Sequence, residues 1–551
     1  MNIRTSPKSL PGLDRRQFLL RGGCGMMSLT SAVNVISQLK LMQSTLNAQG
    51  AGGGYKALVC VFLQGGNDGN NTLIPFSGAA RTDYETGRGV LAIPTTGGTS
   101  LQNLTATQLT TNPTHIAAAD PLGGYLGTFA THPVARQIRG MFNAGEMAFV
   151  ANVGTLTQPG ITRANYATSS RPPQLFSHSD QQQQWQSSVP DMPFTSGWGG
   201  RIANLINAGY NGGSQASMSI SIAGVNSFQV SPGGSIIPYV MSSDGVVSLS
   251  GYGTNYANAV NNPATLFSDA NYQANEAGQR LRAFERIIQL SNANLMENGA
   301  NSVMVNARRV EGVVGDALQP TVSGSGTTLD THFSNAFAGA ETGITANNDF
   351  TNQMKLVARL IAGQAALGQQ RQIFFVQMGG FDTHTTQIPT TGNVYATGHA
   401  GLLNTLDRTL KAFRDSLQAL GVWNNVVTFT ASDFTRTLTP NKTDSSAGSD
   451  HAWGGHAMVM GGPVSGGRIY GKFPPLKLGA VADSIDATGS SGRWIPSTSV
   501  DQYAAVLANW FGVPTADLAT IFPNLPRFSA APFTDILTAN QTPNLGFLTN
   551  V

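Results

Sequence analysis

The sequence is poor in charge, in cysteine and in long apolar runs, and each scarcity excludes a class of protein. Asp, Glu, Lys and Arg make up only 11% of the 551 residues, against roughly 25% in ordinary soluble domains. With 32 basic and 29 acidic side chains, the chain has no cationic surplus to neutralise a run of phosphates, which excludes a polybasic nucleic-acid binder. No apolar run approaches the roughly 18 residues of a spanning helix, so we expect no integral membrane segment.

The first 50 residues have the features of an export signal. The adjacent Arg15 and Arg16 precede a Phe-Leu pair and a weakly apolar stretch, and small residues follow. This order predicts a twin-arginine signal over residues 1–50, with the twin-arginine translocase as partner during export and a periplasmic or extracellular location. Arg21 interrupts the apolar stretch, and the alternative is a basic amphipathic helix of the mature fold.

Cysteine is almost absent, with two residues in the whole chain. Cys24 lies in the predicted signal, so Cys60 would be alone after cleavage and no intramolecular disulfide can form. Because Cys60 lies inside an apolar run, we predict a small core residue rather than a nucleophile.

After the predicted signal, short β-rich runs alternate with helical patterns. Residues 57–64 form an apolar run that ends at two glycines, which is typical of a strand buried on both faces of a parallel sheet. Residues 372–378, 399–420 and 425–431 predict a strand, a long amphipathic helix and a second strand. Such a crossover joins parallel strands and packs a helix on the sheet.

These patterns predict the α/β fold class, with a three-layer αβα architecture and a mostly parallel central sheet. We expect this domain to extend over residues 51–551. Insertions of loop and β structure are expected around residues 212–262 and 317–348, where Gly, Ser, Thr and Asn are frequent.

Three of the predicted strands run directly into a loop that carries an aspartate. Asp68 follows the first strand, Asp382 follows residues 372–378, and Asp433 follows residues 425–431. Because the loops beyond the carboxyl ends of parallel strands converge, these carboxylates can meet in space. They would repel one another and raise each other's pKa unless a cation lay among them.

Histidines stand near aspartates in two of the glycine-rich loops, at His384, His451 and His456. A mixture of Asp and His is the ligand set expected for zinc or a similar divalent ion, whereas carboxylates alone also accept magnesium, calcium or manganese. Structural interpretations exist as well: Asp68 as part of a turn, Asp382 as an Asx turn or helix cap, and His456 as a core histidine. The shared placement after strands favours a metal site.

Two further candidates carry less specific signals. Ser177 and His178 stand together before Asp180 in a loop, where the hydroxyl could be a nucleophile, or either residue could be a ligand or a substrate contact. Arg436 could bind an anionic substrate oxygen or pair with Asp433. The sequence has no Gly-x-Ser-x-Gly elbow, P-loop or dinucleotide-binding Gly-x-Gly-x-x-Gly after a strand. That absence argues against a serine α/β-hydrolase, an ATPase and a nicotinamide enzyme.

Four blocks of the sequence resemble the domain-of-unknown-function 1501 family, DUF1501. They stand in the family's order across the mature chain and cover residues 62–69, 379–384, 432–437 and 448–456. Ser177 and His178 also match the family's usual Ser-His pair. The family consists of bacterial proteins, commonly with a twin-arginine signal, that are related in fold to alkaline phosphatases, arylsulfatases and cofactor-independent phosphoglycerate mutases.

The resemblance implies an alkaline phosphatase-like fold in which Asp and His hold two divalent metals at the carboxyl ends of strands. Its chemistry is transfer of a phosphoryl or sulfuryl group to a hydroxyl nucleophile and then to water. Ser177 is then the candidate nucleophile, with His178 and Arg436 as further catalytic candidates. Phe434 stands where the superfamily usually has a histidine, so that ligand is missing or supplied from elsewhere. The matching positions for metal ligands are Asp68, Asp382, His384, Asp433, His451 and His456.

From this resemblance we expect an exported, metal-dependent hydrolase-like protein that acts on phosphate or sulfate esters of a small molecule or a glycan. The expected cofactors are divalent metal ions, either zinc or manganese, magnesium or calcium. The alternative is a non-catalytic secreted protein, for surface assembly or glycan binding, that keeps the fold. The many Asn, Gln, Ser and Thr residues, with 12 Tyr and 6 Trp, would suit contact with a neutral glycan.

Overall fold

The computed structural model covers most of the chain after residue 53, and Gly53–Val551 forms one compact unit. The predicted signal over residues 1–50 lies outside the described residues, as does part of each predicted insertion. The described residues are 54–97, 103–109, 129–212, 214, 216–245, 249–253, 256–262, 265–290, 297, 300–301, 303–305, 307–309, 311, 314, 328–390, 392–479, 481–486, 491–528 and 545–549.

Strands and helices alternate over much of this part of the chain. The strands are β1 (Lys56–Leu63), β2 (Leu73–Pro75), β3 (Phe129–Thr131), β4 (Met147–Gly154), β5 (Ser219–Ser221), β6 (Tyr239–Val240), β7 (Arg371–Met378), β8 (Val426–Ser432), β9 (Gly455–Met460), β10 (Ile469–Tyr470) and β11 (Thr498–Ser499). The α-helices are α1 (Gly78–Arg88), α2 (Arg136–Asn143), α3 (His178–Ser187), α4 (Trp198–Asn211), α5 (Glu276–Ile288), α6 (Leu329–Phe337), α7 (Asp349–Ala362), α8 (Gly398–Ala419), α9 (Val500–Phe511) and α10 (Leu518–Ile521). Within the described residues, none of the helices has both the length and the apolar character needed to cross a membrane.

The central sheet has nine strands in the order β10-β4-β9-β8-β1-β7-β5-β6, with β11 also paired to β4. Its neighbours run parallel except at β9, which is antiparallel to both β4 and β8. The predicted α/β class and mostly parallel sheet are therefore confirmed. The predicted insertion at residues 212–262 contributes β5 and β6, which extend one edge of this sheet.

Strand β1 lies in the middle of the sheet, and its apolar sequence suits that position because both of its faces are covered. Val59 and Val61 belong to the main hydrophobic core, together with residues of α2, α7 and α8. On the opposite face the ring of Phe62 lies 6.1 Å from that of Phe375, which in turn packs near Phe228. Cys60 points to this second face and is 2% exposed, in agreement with its interpretation as a core residue.

The predicted crossover is present, with one difference that matters for the site. Strands β7 and β8 are connected through α8 but are not neighbours, because β1 lies between them and pairs in parallel with both. The loops after β7, β1 and β8 therefore begin side by side at one edge. Since β9 runs antiparallel to β8, its first residues, Gly455 and His456, also lie toward this edge.

Asp407 of α8 links two helices by accepting hydrogen bonds at the start of α2. Its carboxylate accepts the N–H of Gln137 at 3.1 Å and that of Ile138 at 2.7 Å. The N–H groups in the first turn of a helix have no partner within the helix, so Asp407 satisfies two of them. Burial raises the pKa of Asp407 to about 7, although the two backbone hydrogen bonds act in the opposite direction.

We expect the stability of the protein to depend on the ionisation of Asp407. Its pKa is about 7 in the folded chain and about 3.9 in an unfolded one. The folded state holds an extra proton between these values, so the free energy of unfolding falls as the pH rises through that window. Because Asp407→Asn cannot ionise, wild type should lose about 2–3 kcal/mol relative to this variant between pH 5 and pH 8, measured by urea denaturation. Asp415→Asn on the same helix is the control, and parallel pH curves for wild type and Asp407→Asn would contradict the expectation.

Candidate metal centre

Two glycines allow the loops after β1, β7 and β8 to approach one another. Gly65 and Gly66 have φ angles of 112° and 81°, a region that glycine adopts at no steric cost. A Cβ atom on Gly65 would lie 2.5 Å from the backbone nitrogen of Asp382, and one on Gly66 would lie 2.5 Å from the ring of Phe434. The glycine pair after β1 is therefore required for the loops after β7 and β8 to pack against it.

Four side chains converge at this edge, and we call them the Asp/His cluster: His178, Asp382, His384 and His451. Asp382 Oδ1 lies 3.4 Å from His178 Nε2, 3.1 Å from His384 Nε2 and 3.5 Å from His451 Nε2. The Nε2 atoms of His384 and His451 are 2.8 Å apart. Ligand atoms of His178, Asp382 and His451 all lie within 4.8 Å of one another, close enough for one ion to contact all three.

Each histidine of the cluster is held from its other ring nitrogen. His178 Nδ1 donates to Asp433 Oδ2 at 2.6 Å, and His384 Nδ1 donates to Asp450 Oδ1 at 3.0 Å. His451 Nδ1 donates to the carbonyl oxygen of Phe176 at 2.7 Å. Since carboxylates and carbonyls only accept hydrogen bonds, Nδ1 carries the proton in each neutral ring. Each Nε2 then has a lone pair, and the Nε2 of His384 also lies 3.4 Å from Nη1 of Arg436.

Lone pairs that face a carboxylate oxygen repel it, so this arrangement favours a cation among them, and the guanidinium of Arg436 pairs with Asp382 from one side. The Nε2 atom of His178 is buried and has no hydrogen-bond partner among the described residues. In four-coordinate zinc sites with metal–ligand bonds of about 2.0–2.1 Å, neighbouring ligand atoms are about 3.3 Å apart. The Asp382-to-histidine distances bracket this value. Three imidazoles oriented by carboxylate or carbonyl partners, with one carboxylate, form the donor set and outer shell typical of a zinc site.

The electrostatics of the cluster favour the metal-binding forms of Asp382 and His451, but not that of His178. Partial burial raises the pKa of Asp382, but the hydrogen bond and charge of Arg436 outweigh it, and the pKa lies below its ordinary value. Burial lowers the pKa of His451 and so favours the neutral ring. The hydrogen bond with Asp433 raises the pKa of His178, which also increases the basicity of Nε2 toward a metal.

The side chain of Arg436 contacts several loops of the site. Its side chain is fully buried, with ion pairing to Asp382 and hydrogen bonds donated to the carbonyls of Gly65, Gly66 and Ser449. The structure shows an ion pair, and its partner is Asp382 rather than Asp433. Its guanidinium fixes the position of Asp382.

Three of the predicted ligands lie outside the Asp/His cluster: Asp68, Asp433 and His456. Asp68 is fully buried, and its carboxylate pairs with the buried Arg88 of α1 and accepts a hydrogen bond from Gln387. A guanidinium thus compensates the charge of Asp68 without a metal. The ring of His456 stacks on Phe473, with centroids 4.9 Å apart, and its Nδ1 accepts a backbone N–H at 3.2 Å.

Asp433 contacts the cluster from outside. Besides His178, its carboxylate accepts hydrogen bonds from Gln182 Nε2 at 3.0 Å and from the backbone N–H of Gly65 at 3.2 Å. Its described contacts therefore orient His178 and anchor the loop after β1, and Asp433 is placed to act on a metal through that histidine.

Ser177 directly precedes the cluster residue His178 and caps the start of α3. Its Oγ donates a hydrogen bond to Asp180 Oδ2 at 2.5 Å. The predicted nucleophile therefore has a carboxylate in contact that can accept its proton.

Sequence reasoning missed the residues that hold the candidate site residues in place. Asp450 stands next to His451 in the chain, so its role in holding His384 had a visible signal. Gln182 follows His178 by four residues, the spacing that puts two side chains on one helix face. Arg88 had no such signal, because it is 20 residues from its partner Asp68.

Comparisons with known proteins agree with the sequence blocks and add little on activity. A family model described as "Protein of unknown function (DUF1501)" matches residues 55–488. A search of curated proteins found no match. Among solved structures, one described as "Crystal structure of Ps i-CgsB in complex with k-i-k-neocarrahexaose" is similar at 10% sequence identity, with a TM-score of 0.25. The similarity covers 77% of this chain and 70% of that one.

Proposed function

The chain belongs to the DUF1501 family of proteins of unknown function, and we propose that it is an exported, metal-dependent hydrolase of phosphate or sulfate esters. The observation that supports this proposal is the Asp/His cluster, in which three Nε2 atoms face one carboxylate oxygen. Clusters with this donor set hold zinc or a related divalent ion in many hydrolases.

The residues that would hold the ion are His178, Asp382 and His451, with His384 beside them as a further candidate. A divalent ion bound there would polarise an ester oxygen and offset the negative charge that develops during hydrolysis. Asp433, Asp450 and the carbonyl of Phe176 keep the three imidazoles aimed at the centre, and Arg436 holds Asp382. Such partners fix the orientation of metal ligands.

The proposed nucleophile is the Ser177 hydroxyl. As its oxygen attacks the phosphorus or sulfur atom, its proton passes to Asp180, the bond to the ester oxygen breaks, and the alcohol leaves with a proton from solvent. Water then attacks the same atom and loses a proton to solvent, the bond to the serine oxygen breaks, and Asp180 returns its proton to that oxygen as phosphate or sulfate is released. The hydrogen bond from Ser177 to Asp180 is what supports this order of proton transfer.

We expect one ion per chain rather than two. The charge of Asp68, a candidate ligand by resemblance, is already compensated by Arg88. Within the described residues, a single group of three or more His, Cys, Asp or Glu side chains has the spacing of a metal site. The finer parts of the proposal are an alkaline phosphatase-like fold and export by the twin-arginine route to the periplasm or the exterior. They are supported by the sequence blocks and by the paired Arg15 and Arg16.

A second candidate is a secreted binding protein that keeps the metal for structure. It is favoured by the saturation of Arg436, since each of its three nitrogens donates to a protein acceptor and none is left for a substrate anion. In this case metal removal would lower stability, with no ester turnover to lose.

Removal of the metal is the test of the proposed function. The purified protein should contain about one zinc, manganese, magnesium or calcium ion per chain. It should hydrolyse at least one of p-nitrophenyl phosphate, bis-p-nitrophenyl phosphate and p-nitrocatechol sulfate. Dialysis against a chelator should reduce that activity by about 100-fold or more, and addition of the ion should restore it. Asp244→Asn, at an exposed position, is the control and should behave as wild type.

Two outcomes would contradict this proposal in different ways. Full activity after complete removal of metal would reject the metal-dependent reaction. A bound ion without hydrolysis of any ester in the panel would favour the binding protein instead.

A further inference from the structure

A cavity of about 380 Å³ lies beside the loop that follows β4. Small-molecule sites in proteins are typically about 300–1,000 Å³, so this volume is sufficient for one ring-sized ligand. We call it the side cavity and define it by six of its lining residues: Asn152, Ile161, Lys472, Asp483, Ser497 and Phe528.

The side cavity is connected to the Asp/His cluster through shared packing. Ile161 and Phe528 belong to one small apolar cluster with Trp453, and Phe176 packs against it. The carbonyl of Phe176 is the group that holds His451. A ligand in the side cavity would therefore rest against the same apolar cluster that supports a ligand of the metal centre.

The polar groups of the side cavity are balanced in charge. Lys472 Nζ and Asp483 Oδ2 are 3.0 Å apart, with side chains 13% and 31% exposed. Ser497 Oγ donates to the carbonyl of Lys472 at 3.2 Å. Asn152 adopts a left-handed conformation at φ 53°, and its buried Oδ1 has no hydrogen-bond partner among the described residues.

This lining selects against two classes of ligand. A phosphate or sulfate would meet the carboxylate of Asp483, and the charge of Lys472 is already offset by that carboxylate. A wholly apolar ligand would cover the ion pair without replacing its contacts with water, which is costly.

We propose that the side cavity binds an uncharged sugar unit. A carboxylate only accepts hydrogen bonds and an ammonium group only donates them, whereas a hydroxyl does both. Two neighbouring ring hydroxyls can therefore bridge Lys472 and Asp483. The C–H faces of the ring would pack against Ile161 and Phe528. This binding does not depend on the proposed hydrolase activity, although a sugar ester would use both sites.

Isothermal titration calorimetry on the full purified protein tests this proposal. The probes are methyl β-D-glucopyranoside, methyl β-D-galactopyranoside, cellobiose and lactose, with glucose 6-phosphate and cyclohexanol as the anionic and apolar comparisons. We expect at least one neutral sugar to bind with a Kd of about 1 mM or tighter. Lys472→Met and Asp483→Asn should each weaken that binding by about 10-fold or more, because each removes a hydrogen bond to a charged group.

The matched controls are Lys411→Met and Asp415→Asn, which alter a Lys–Asp pair on α8 and should leave sugar binding unchanged. Binding should also survive metal removal, which separates this proposal from the hydrolase. The proposal is overturned if none of the neutral sugars binds below about 10 mM. It is also overturned if glucose 6-phosphate or cyclohexanol binds as tightly as the best sugar, or if Lys472→Met and Asp483→Asn bind as wild type does.

Discussion

His451→Ala is expected to reduce the metal content from about one ion per chain to near zero and to lower ester hydrolysis by about 100-fold or more. Loss of this imidazole removes one of the three residues with the spacing of a metal site and leaves His384 Nε2 without the neighbour that lies 2.8 Å away. Replacement of outer-shell partners alone typically costs 10–100-fold in metal affinity or activity, so loss of a ligand should cost more. Competition with a chromophoric chelator measures the affinity, and elemental analysis measures the content.

Comparison of His451→Ala with Asp433→Asn distinguishes a metal ligand from a residue that orients one. Asp433→Asn keeps the side-chain volume but weakens the hydrogen bond that orients His178, so we expect a loss of about 10–100-fold in metal affinity. His332→Ala on α6 is the matched control, since His332 is not part of the cluster, and it should retain wild-type affinity. If His451→Ala binds the ion as tightly as His332→Ala does, the cluster is not the metal site.

Arg88→Met is expected to destabilise the protein by about 3–5 kcal/mol, the usual effect of removing one partner from a buried ion pair. Arg88 and Asp68 are both 0% exposed. Arg88 also donates hydrogen bonds to the carbonyls of Thr437 and Leu438 in the loop after β8. Without the guanidinium, the Asp68 carboxylate would remain buried and uncompensated. Urea denaturation followed by circular dichroism measures the change.

A double variant shows whether the penalty comes from the charge left behind. Arg88→Met combined with Asp68→Asn removes both charges, and we expect it to recover about half or more of the lost stability. Arg359→Met, which breaks a partly exposed pair with Asp330, should cost less than about 1 kcal/mol. If Arg88→Met is as mild as Arg359→Met, the buried pair does not stabilise the site as inferred.

Much of the frame of the fold could be predicted because its signals are local. The apolar run at residues 57–64 and the crossover from residue 372 to residue 431 each contain their own pattern of hydrophobic residues. The register between strands is not local, so the insertion of β1 between β7 and β8 could not be obtained from these patterns. The same is true of β5 and β6, which are only 3 and 2 residues long and lie in a stretch with a loop-like composition.

The candidate site was likewise predictable only where its signals are local in the sequence. An aspartate or histidine after a strand can be recognised along the chain, and Asp382, His384 and His451 were recognised in this way. Whether such a residue faces a metal or a protein cation depends on groups that are distant in sequence. Asp68 and Asp382 have the same local setting and each pairs with an arginine, but Asp382 also faces three histidines. His178 had several possible roles in the sequence and is a cluster residue because Asp433 orients its ring.

By itself, the sequence determined the DUF1501 family, the α/β class and the loops on which acids and histidines gather, because these depend on residues close together in the chain. Tertiary structure alone decided which of those side chains meet. A carboxylate or imidazole can be held by a guanidinium, a second carboxylate or an ion, and the choice depends on distances of a few ångströms between segments hundreds of residues apart. Because ionisable groups are scarce in this chain, the partner of each carboxylate or imidazole matters more. With so few ionisable groups in the chain, the pairing of Asp68 with Arg88 and the meeting of three histidines around Asp382 define the chemistry that the site can support.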